Sequence, residues 1–147
     1  MEHVNDLQSK KTLIKKQALF AQFTDQELDE LAELFAETRF KKGDTIVTEG
    51  DHVDSVFLIV EGTAEVVHIA IENDKKVSHH IANLGPNQSI GLNETGFFSI
   101  SGLRTATVVA STDMVLLRLS VAKFHGFELS HSHVYDIMHK AANRKAE

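Results

Sequence analysis

The sequence lacks cysteine and tryptophan, and it contains one proline and one tyrosine among 147 residues. Without cysteine no disulfide can form, which fits a reducing compartment. Long apolar runs are also missing. The most apolar segment, Ala64 to Ile71, is interrupted by Glu65 and His68 and is far shorter than the ~20 residues of a membrane-spanning helix. The N-terminal segment has no apolar stretch typical of a signal peptide, so we expect a cytoplasmic protein with no membrane partner.

The net charge is −6, which argues against a nucleic-acid groove, because lysine and arginine supply most of the affinity for phosphate backbones. One basic cluster stands near the N-terminus, and we expect it to be the solvated face of a helix. Its members are Lys10, Lys11, Lys15 and Lys16. No repeat or linker divides the chain, so residues 1–147 are predicted to form a single domain.

Residues 1–37 carry helical patterns. Thr24 and Glu27 have the spacing of a capping box, and apolar residues then recur at helical intervals from Leu28 to Phe35. Upstream, the apolar residues between Leu13 and Phe23 predict a shorter helix and a turn. This segment is therefore expected to be an N-terminal helical region.

Residues 38–119 change to short β-prone runs separated by turn residues. The predicted strands are Thr45 to Val47, Val56 to Val60, Ala64 to Ile71, Val77 to Leu84, Thr105 to Ala110 and Met114 to Leu119. Short strands at a nearly regular pitch indicate a β-sandwich or barrel. Residues 120–147 return to helical spacing. The predicted class is α+β, mainly β: an antiparallel, jelly-roll-like β-roll (double-stranded β-helix) flanked by N-terminal and C-terminal helices.

The loop before the predicted strand Thr105 to Ala110 contains one arginine, Arg104, just ahead of this buried-looking strand. If residues 94–99 form a helical turn, its first N–H groups make an anion site that the guanidinium can also reach. Gly91 would let the backbone approach such a ligand, because it has no Cβ. The alternative is that Arg104 is an ordinary surface arginine at a strand end.

Several motifs in order resemble the cyclic nucleotide-binding domain family, whose members include catabolite activators and regulatory subunits of protein kinase A. The run RFKKGDTIVTEGDHVDSVFLIVEGTAEVV is similar to the opening of that domain. LGPNQSIG, ETGFF and LRTATV together resemble its phosphate-binding cassette, here residues 89–106. The resemblance covers roughly residues 19–139, and it implies a regulatory domain that senses cyclic AMP, with cyclic GMP as a second ligand.

The resemblance also implies roles for individual residues. Arg104 would pair with the cyclic phosphate, and the backbones of Gly91, Thr105 and Ala106 would add donors. The family uses a glutamate to accept a hydrogen bond from the ribose 2′-hydroxyl. Alignment on LGPNQSIG places Leu92 at that position, whereas alignment on the phenylalanine pair places Glu94 there, and we prefer Glu94 because a leucine side chain cannot accept a hydrogen bond.

The base would be recognised by two further features of the family. A hydroxyl at Thr105 can bond a guanine in the syn conformation, although β-propensity alone also explains a threonine there. An apolar residue of the C-terminal helix would cover the base as a lid. The candidates are Val134, Tyr135, Ile137 and Met138. Packing against the roll without ligand is the alternative for each.

Catalysis and metal binding are not expected. A small β-roll with nine histidines also resembles the cupins, but His79 and His80 should point to opposite faces of a strand, and His131 and His133 should diverge around a helix. Ser99 and Ser101 have no nearby histidine to activate them. We therefore expect no enzyme activity, no catalytic residue, no metal and no cofactor besides the nucleotide ligand.

The function and the partner of the chain stay open at this point. The rival function is a degenerate member of the family that no longer binds nucleotide and acts as a protein-interaction module. The C-terminal segment is taken up by one helical region, so this chain is not expected to bind DNA. Its partner would be a second copy of the chain or an effector domain.

Overall fold

The computed structural model describes residues 6–92, 96 and 102–146. Three helical segments come first: α1 (Leu7–Lys15), a 3-10 turn (Ala18–Phe20) and α2 (Asp25–Ala32). Asp6 caps α1 through its side chain, and the predicted capping box of Thr24 and Glu27 is present at α2. The chain then enters the strands directly at Ala36.

Eight strands follow in the described part of the chain, and two helices close it. The strands are β1 (Ala36–Phe40), β2 (Thr45–Val47), β3 (Ser55–Glu61), β4 (Ala64–Glu72), β5 (Lys75–Leu84), β6 (Ser89–Ile90), β7 (Thr107–Ala110) and β8 (Met114–Ser120). The closing helices are α3 (Val121–Leu129) and α4 (Ser132–Ala146). Among the described residues no helix is long and apolar enough to cross a bilayer.

The strands form two four-stranded antiparallel sheets, in the orders β1-β8-β3-β6 and β2-β7-β4-β5. Strand β3 is buried on both faces. Val56 and Leu58 pack in a cluster with the helices, whereas Phe57 and Ile59 pack in the interior of the roll. Alternate residues of a strand point to opposite faces, so one apolar strand joins the helical layer to the roll. The predicted β-roll with flanking helices is confirmed.

The strand boundaries differ from the predictions in several places, and three of these differences bear on the site. β1 begins at Ala36, inside the predicted helical region of residues 1–37, because the apolar pattern of α2 runs without interruption into the strand. The two-residue strand β6 was not predicted. β7 begins at Thr107 rather than Thr105, and the two residues before it bend out of the sheet.

The expectation of a solvated lysine face holds for Lys15 and Lys16, which are exposed, but it is wrong for Lys10 and Lys11, which are partly buried. Lys10 donates from Nζ to the Phe35 carbonyl at 2.9 Å. Lys11 is largely buried and lies 2.7 Å from both Asp25 and Asp29 of α2. Lys16 reaches the Asn87 side chain at 3.2 Å. These lysines attach α1 to the following helix and to the roll.

Candidate functional site

Arg104 is fixed by a backbone corner between the loop after β2 and the residues before β7. The Gly50 N–H donates to the Arg104 carbonyl at 2.9 Å, and the Arg104 N–H donates to the Asp51 carbonyl at 2.7 Å. One position earlier, Leu103 forms an isolated antiparallel bridge with His52. These contacts hold the arginine backbone just outside the regular strand, so its side chain can turn into the roll.

The guanidinium of Arg104 is buried, with 8% of the residue exposed. Its Nη2 donates to the Ser55 carbonyl at 2.9 Å and lies 3.7 Å from the Asp54 carboxylate. Its Nη1 is buried and has no hydrogen-bond acceptor within the described part of the chain. Burial lowers the pKa of Arg104, and the carboxylates of Asp54 and Asp51 oppose that shift. An arginine stays protonated in such surroundings, so Nη1 is a buried cationic donor in need of an acceptor.

Gly91 lies directly beside that unsatisfied nitrogen. Its φ is +86°, a left-handed conformation that favours glycine. A Cβ at this position would stand 2.8 Å from Arg104 Nη1 and 3.4 Å from the Ser55 carbonyl oxygen. The missing side chain therefore leaves the room that the guanidinium occupies. The sequence argument expected Gly91 to admit a ligand, and its nearest neighbour in the structure is Arg104 itself.

Arg104 lines two cavities that differ in charge. The larger, about 700 Å³, also contains Asp51, Asp54 and Arg118 in its wall. The smaller, about 290 Å³, has no carboxylate among its described lining residues. An anion in the larger cavity would face two carboxylates, whereas in the smaller cavity Arg104 is the only charged group of the described wall. We call the smaller cavity the Arg104 pocket.

The Arg104 pocket brings together four of the five predicted ligand-binding residues, namely Gly91, Arg104, Thr105 and Ala106. Its described lining consists of Val47, Val53, Val66, Leu84, Ser89, Ile90, Gly91, Leu92, Leu103, Arg104, Thr105, Ala106 and Val108. Most of these side chains are aliphatic. The pocket can therefore hold a molecule with an apolar body and one anionic group, which matches the general form of a small-ligand site.

The predicted ribose contact is only partly described. Leu92 lies on the pocket wall, and its carbonyl accepts a hydrogen bond from Ser89 Oγ at 3.2 Å. Glu94, the preferred acceptor for the ribose hydroxyl, lies outside the described residues, as do Phe97, Phe98, Ser99 and Ser101. The helical turn expected over residues 94–99 stays a prediction for the same reason.

None of the four lid candidates lines the Arg104 pocket. Val134 is fully buried in the cluster formed with the N-terminal helices, and Ile137 and Met138 pack against that cluster. Tyr135 is half exposed and stacks on His139, with ring centroids 4.0 Å apart. In this arrangement α4 packs beside the helices rather than over the pocket.

The histidines bind separate carboxylates. His79 lies 2.8 Å from Glu72, and His80 lies 2.8 Å from Glu65. His131 and His133 do not diverge as expected, because His131 precedes α4 and both side chains reach α2. Within the described residues no group of three or more histidine, aspartate or glutamate side chains could hold a metal ion.

Sequence reasoning missed the groups that hold Arg104. The Ser55 carbonyl belongs to the backbone, so no pattern of residue types predicts it as a partner of Arg104. Asp51 and Asp54 stand in the run that resembles the opening of the family domain, but no role was predicted for them, and both lie near the guanidinium. No signal in the sequence alone links these two aspartates to an arginine so far along the chain.

Comparisons with known proteins identify the family of this chain. The family model described as "Cyclic nucleotide-binding domain" matches residues 37–131. A cGMP-dependent protein kinase from Plasmodium berghei is 34% identical over 86 residues, which are 58% of this chain and 9% of the kinase. A cAMP-dependent protein kinase regulatory subunit from Dictyostelium discoideum is 30% identical over 88 residues, or 53% of this chain and 27% of that subunit. The chain thus spans less than a third of either relative.

A solved structure is similar over a larger share. The N-terminal domain of a transcriptional regulator from Streptomyces coelicolor A3(2) is 27% identical, with a TM-score of 0.75 and coverage of 91% of each chain. The family match covers strands β2 to β8 and includes Arg104. This chain belongs to the cyclic nucleotide-binding domain family.

Proposed function

We propose that the chain is a sensor that binds cyclic AMP, and cyclic GMP as a second ligand, in the Arg104 pocket. The observation that carries the proposal is the buried Nη1 of Arg104, which has no acceptor among the described residues. Leaving a buried charged donor unpaired is costly, and a phosphate oxygen would relieve that cost. The cyclic phosphate carries a single negative charge, and its oxygens can accept the hydrogen bond from Nη1.

The pocket supports one orientation of the nucleotide. Nη2 already donates to the Ser55 carbonyl, so the phosphate would take Nη1 beside Gly91. The backbones of Thr105 and Ala106 line the same pocket and are close enough in sequence to add donors. The aliphatic wall formed by Val47, Val66 and neighbouring residues would then contact the sugar and base. Glu94 is our choice for the ribose hydroxyl.

The output of the sensor is a change in the position of α4. Val134, Tyr135, Ile137 and Met138 lie away from the pocket, so a residue of α4 can cover the base only if the helix moves. A ligand shifts such an equilibrium by its difference in affinity for the two positions. An effector domain or a second copy of the chain would detect that shift.

The function is binding without turnover. The pocket offers one cation and aliphatic walls, and no nucleophile with an adjacent base lies among its described lining residues. The location that we propose is the cytoplasm, where a cyclic nucleotide would be encountered.

Calorimetry on the whole chain tests the proposal. Cyclic AMP and cyclic GMP should each give a saturable heat, and chromatography should return both nucleotides intact. Noncyclic 5′-AMP, which carries an extra charge on the phosphate, should bind more weakly. Absence of heat with both cyclic nucleotides would favour the interaction module, and a hydrolysed product would end the sensor interpretation.

A pair of arginine variants locates the site. Arg104→Ala should abolish the heat, whereas Arg118→Ala should preserve it, because Arg118 lines the larger cavity only. The opposite result would place the nucleotide in the larger cavity, beside Asp51 and Asp54.

A further inference from the structure

Two histidines fasten the start of the C-terminal helix to α2. His131, in the turn between α3 and α4, places Nε2 2.9 Å from Glu30. His133, in the first turn of α4, places Nδ1 2.9 Å and 3.0 Å from the two carboxylate oxygens of Glu27. Glu27 and Glu30 are three residues apart, so they lie on one face of α2. These contacts join helices that are distant in sequence.

His131 has an acceptor at each ring nitrogen. Its Nδ1 lies 2.9 Å from the Phe127 carbonyl oxygen, and its Nε2 faces the Glu30 carboxylate. A neutral imidazole has one N–H, so only the protonated ring can donate to both acceptors at once. The ring also stacks on the Phe127 ring, with centroids 4.4 Å apart. The arrangement therefore matches a charged His131.

Groups of α2 and α3 stabilise the protonated form of the His131 ring, whereas groups of α4 oppose it. From α2 come the carboxylates of Glu30 and Glu27, and from the last turn of α3 comes the Phe127 carbonyl. From α4 come His133 and the helix N-terminus, since the Tyr135 N–H donates to the His131 carbonyl at 3.0 Å. The Phe127 carbonyl, Glu30 and Glu27 raise the pKa of His131, and its slight burial only partly opposes this.

We propose that protonation of His131 latches the α3–α4 turn onto α2 and so makes the position of α4 depend on pH. The link to nucleotide rests on the proposed function. A raised folded pKa means that the contribution of the latch is complete below the unfolded value of about 6.5 and is lost as pH rises through the folded value. The latch is therefore closed below about pH 6.5 and loosens as the pH rises through the folded pKa of His131.

The closed latch holds α4 where no lid candidate lines the Arg104 pocket. Movement of α4 over the nucleotide would break the contact between His131 and Glu30. Nucleotide binding should then release a proton, and affinity should increase with pH. Each unit by which the pKa of His131 is raised can change affinity by up to about tenfold.

The latch can be tested without nucleotide, by NMR titration of the histidine rings in the whole chain. We expect His131 to titrate above the ordinary value, and Glu30→Gln to lower its midpoint. Amide exchange in the first turn of α4, corrected for intrinsic pH dependence, should accelerate through the same midpoint. His131→Gln should remove that acceleration. His125→Gln is the matched control, because His125 lies 3.7 Å from Glu128 of its own helix and should leave the acceleration intact.

A His131 midpoint at or below 6.5, or exchange in α4 that follows intrinsic chemistry alone, would overturn the latch. Calorimetry with cyclic AMP at pH 6 and pH 8 then tests the coupling, with affinity rising in the wild type and flat in His131→Gln. A flat wild type despite pH-dependent exchange would contradict the movement of α4 in the proposed function. Absence of binding would contradict the nucleotide site. The exchange result stands separately from both.

Discussion

The Arg104 guanidinium fills the space that a side chain at Gly91 would need: a Cβ on residue 91 would lie 2.8 Å from Nη1 of the arginine. The glycine therefore leaves room for the guanidinium of Arg104 in the pocket. Its φ of +86° adds a second requirement, because a side chain in the left-handed region is strained by roughly 1–2 kcal/mol. Space and backbone conformation both select glycine here.

Gly91→Ala should lower both stability and affinity. The strain should reduce the melting temperature of the empty protein by several degrees, since each kcal/mol is worth about 2–4 °C in a chain of this size. The new methyl group should also displace the guanidinium and weaken cyclic nucleotide binding by at least tenfold in calorimetry. Gly85→Ala is the control, because a Cβ there meets no described atom within 4 Å. Wild-type affinity in Gly91→Ala would contradict the close packing of these two residues.

The acid stability of the helical layer depends on Glu27. Its carboxylate accepts from the Thr24 N–H at 2.7 Å and contacts His133. Burial alone would raise the pKa of Glu27, but the Thr24 backbone hydrogen bond and His133 outweigh burial and lower it. A lowered folded pKa gives stability that is present above about 4.5 and disappears as pH falls through the folded value.

Glu27→Gln should therefore lower the melting temperature by a few degrees near pH 6, consistent with about 0.5–2 kcal/mol for a helix cap. The difference from the wild type should shrink as the pH falls from 4.5 through the lowered pKa of the Glu27 carboxylate. Glu33→Gln, at the exposed C-terminal end of α2, should have little effect at either pH. An equal loss at pH 3 and pH 6 would mean that the charge of Glu27 is not the cause.

Ribose recognition is tested by removing either the carboxylate acceptor of Glu94 or the 2′-hydroxyl donor of the nucleotide. Glu94→Ala should weaken cyclic AMP binding by about 1.5–3 kcal/mol, the range for hydrogen bonds to charged groups. The 2′-deoxy nucleotide should bind wild type and Glu94→Ala equally, because the bond is already missing. Leu92→Ala should keep its preference for the ribose form. If Leu92→Ala lost that preference and Glu94→Ala kept it, the cassette would have been aligned at the wrong end.

Thr105 is on the rim of the Arg104 pocket and is exposed in the empty protein. Thr105→Val keeps the branched shape but removes the hydroxyl, so cyclic GMP affinity should fall roughly 2- to 10-fold, as expected for one neutral hydrogen bond. Cyclic AMP affinity should change little, and Thr105→Ser should retain cyclic GMP binding. Equal losses for both nucleotides would show that Thr105 contributes to the pocket rather than to base selection.

The sequence predicted the order of helices and strands well where periodicity and turns agreed. The turn at Asn73 and Asp74 has the positive φ values of a tight hairpin, as its residue types suggest. The start of β1 was missed because Ala36 continues an apolar helical pattern, and tertiary pairing with β8 decides its conformation. Periodicity reports burial, and it cannot report which neighbour a segment pairs with.

The candidate site was predictable in composition but not in geometry. Arg104 and Gly91 were both identified, yet their contact depends on the backbone conformations of two distant segments. The Ser55 carbonyl and the bend at Thr105 have no side-chain signature. For α4 the helix was predictable, whereas its attachment to α2 through His131 was not, because that contact spans 101 positions of the chain.

Substitution of Arg104 should reduce nucleotide affinity much more than the stability of the empty protein. Its Nη1 has no acceptor in the described empty pocket, and its burial lowers its own pKa, so removing it relieves a cost that offsets the lost bond to Ser55. Arg104→Ala should therefore melt within a few degrees of the wild type when empty. Cyclic AMP at 100 times its wild-type dissociation constant should stabilise the wild type by roughly 2.7 kcal/mol, or about 5–10 °C. That shift should vanish in Arg104→Ala at the same concentration.

Arg104→Lys should recover little of the shift, because an ammonium group cannot donate to the Ser55 carbonyl and the phosphate with the planar geometry of a guanidinium. Arg118→Ala should keep the full shift, since Arg118 borders the other cavity. The measurement is thermal unfolding with and without nucleotide on all four proteins. If Arg104→Ala melted far below the wild type and still showed the nucleotide shift, then Arg104 would be a structural residue, and the phosphate would bind elsewhere.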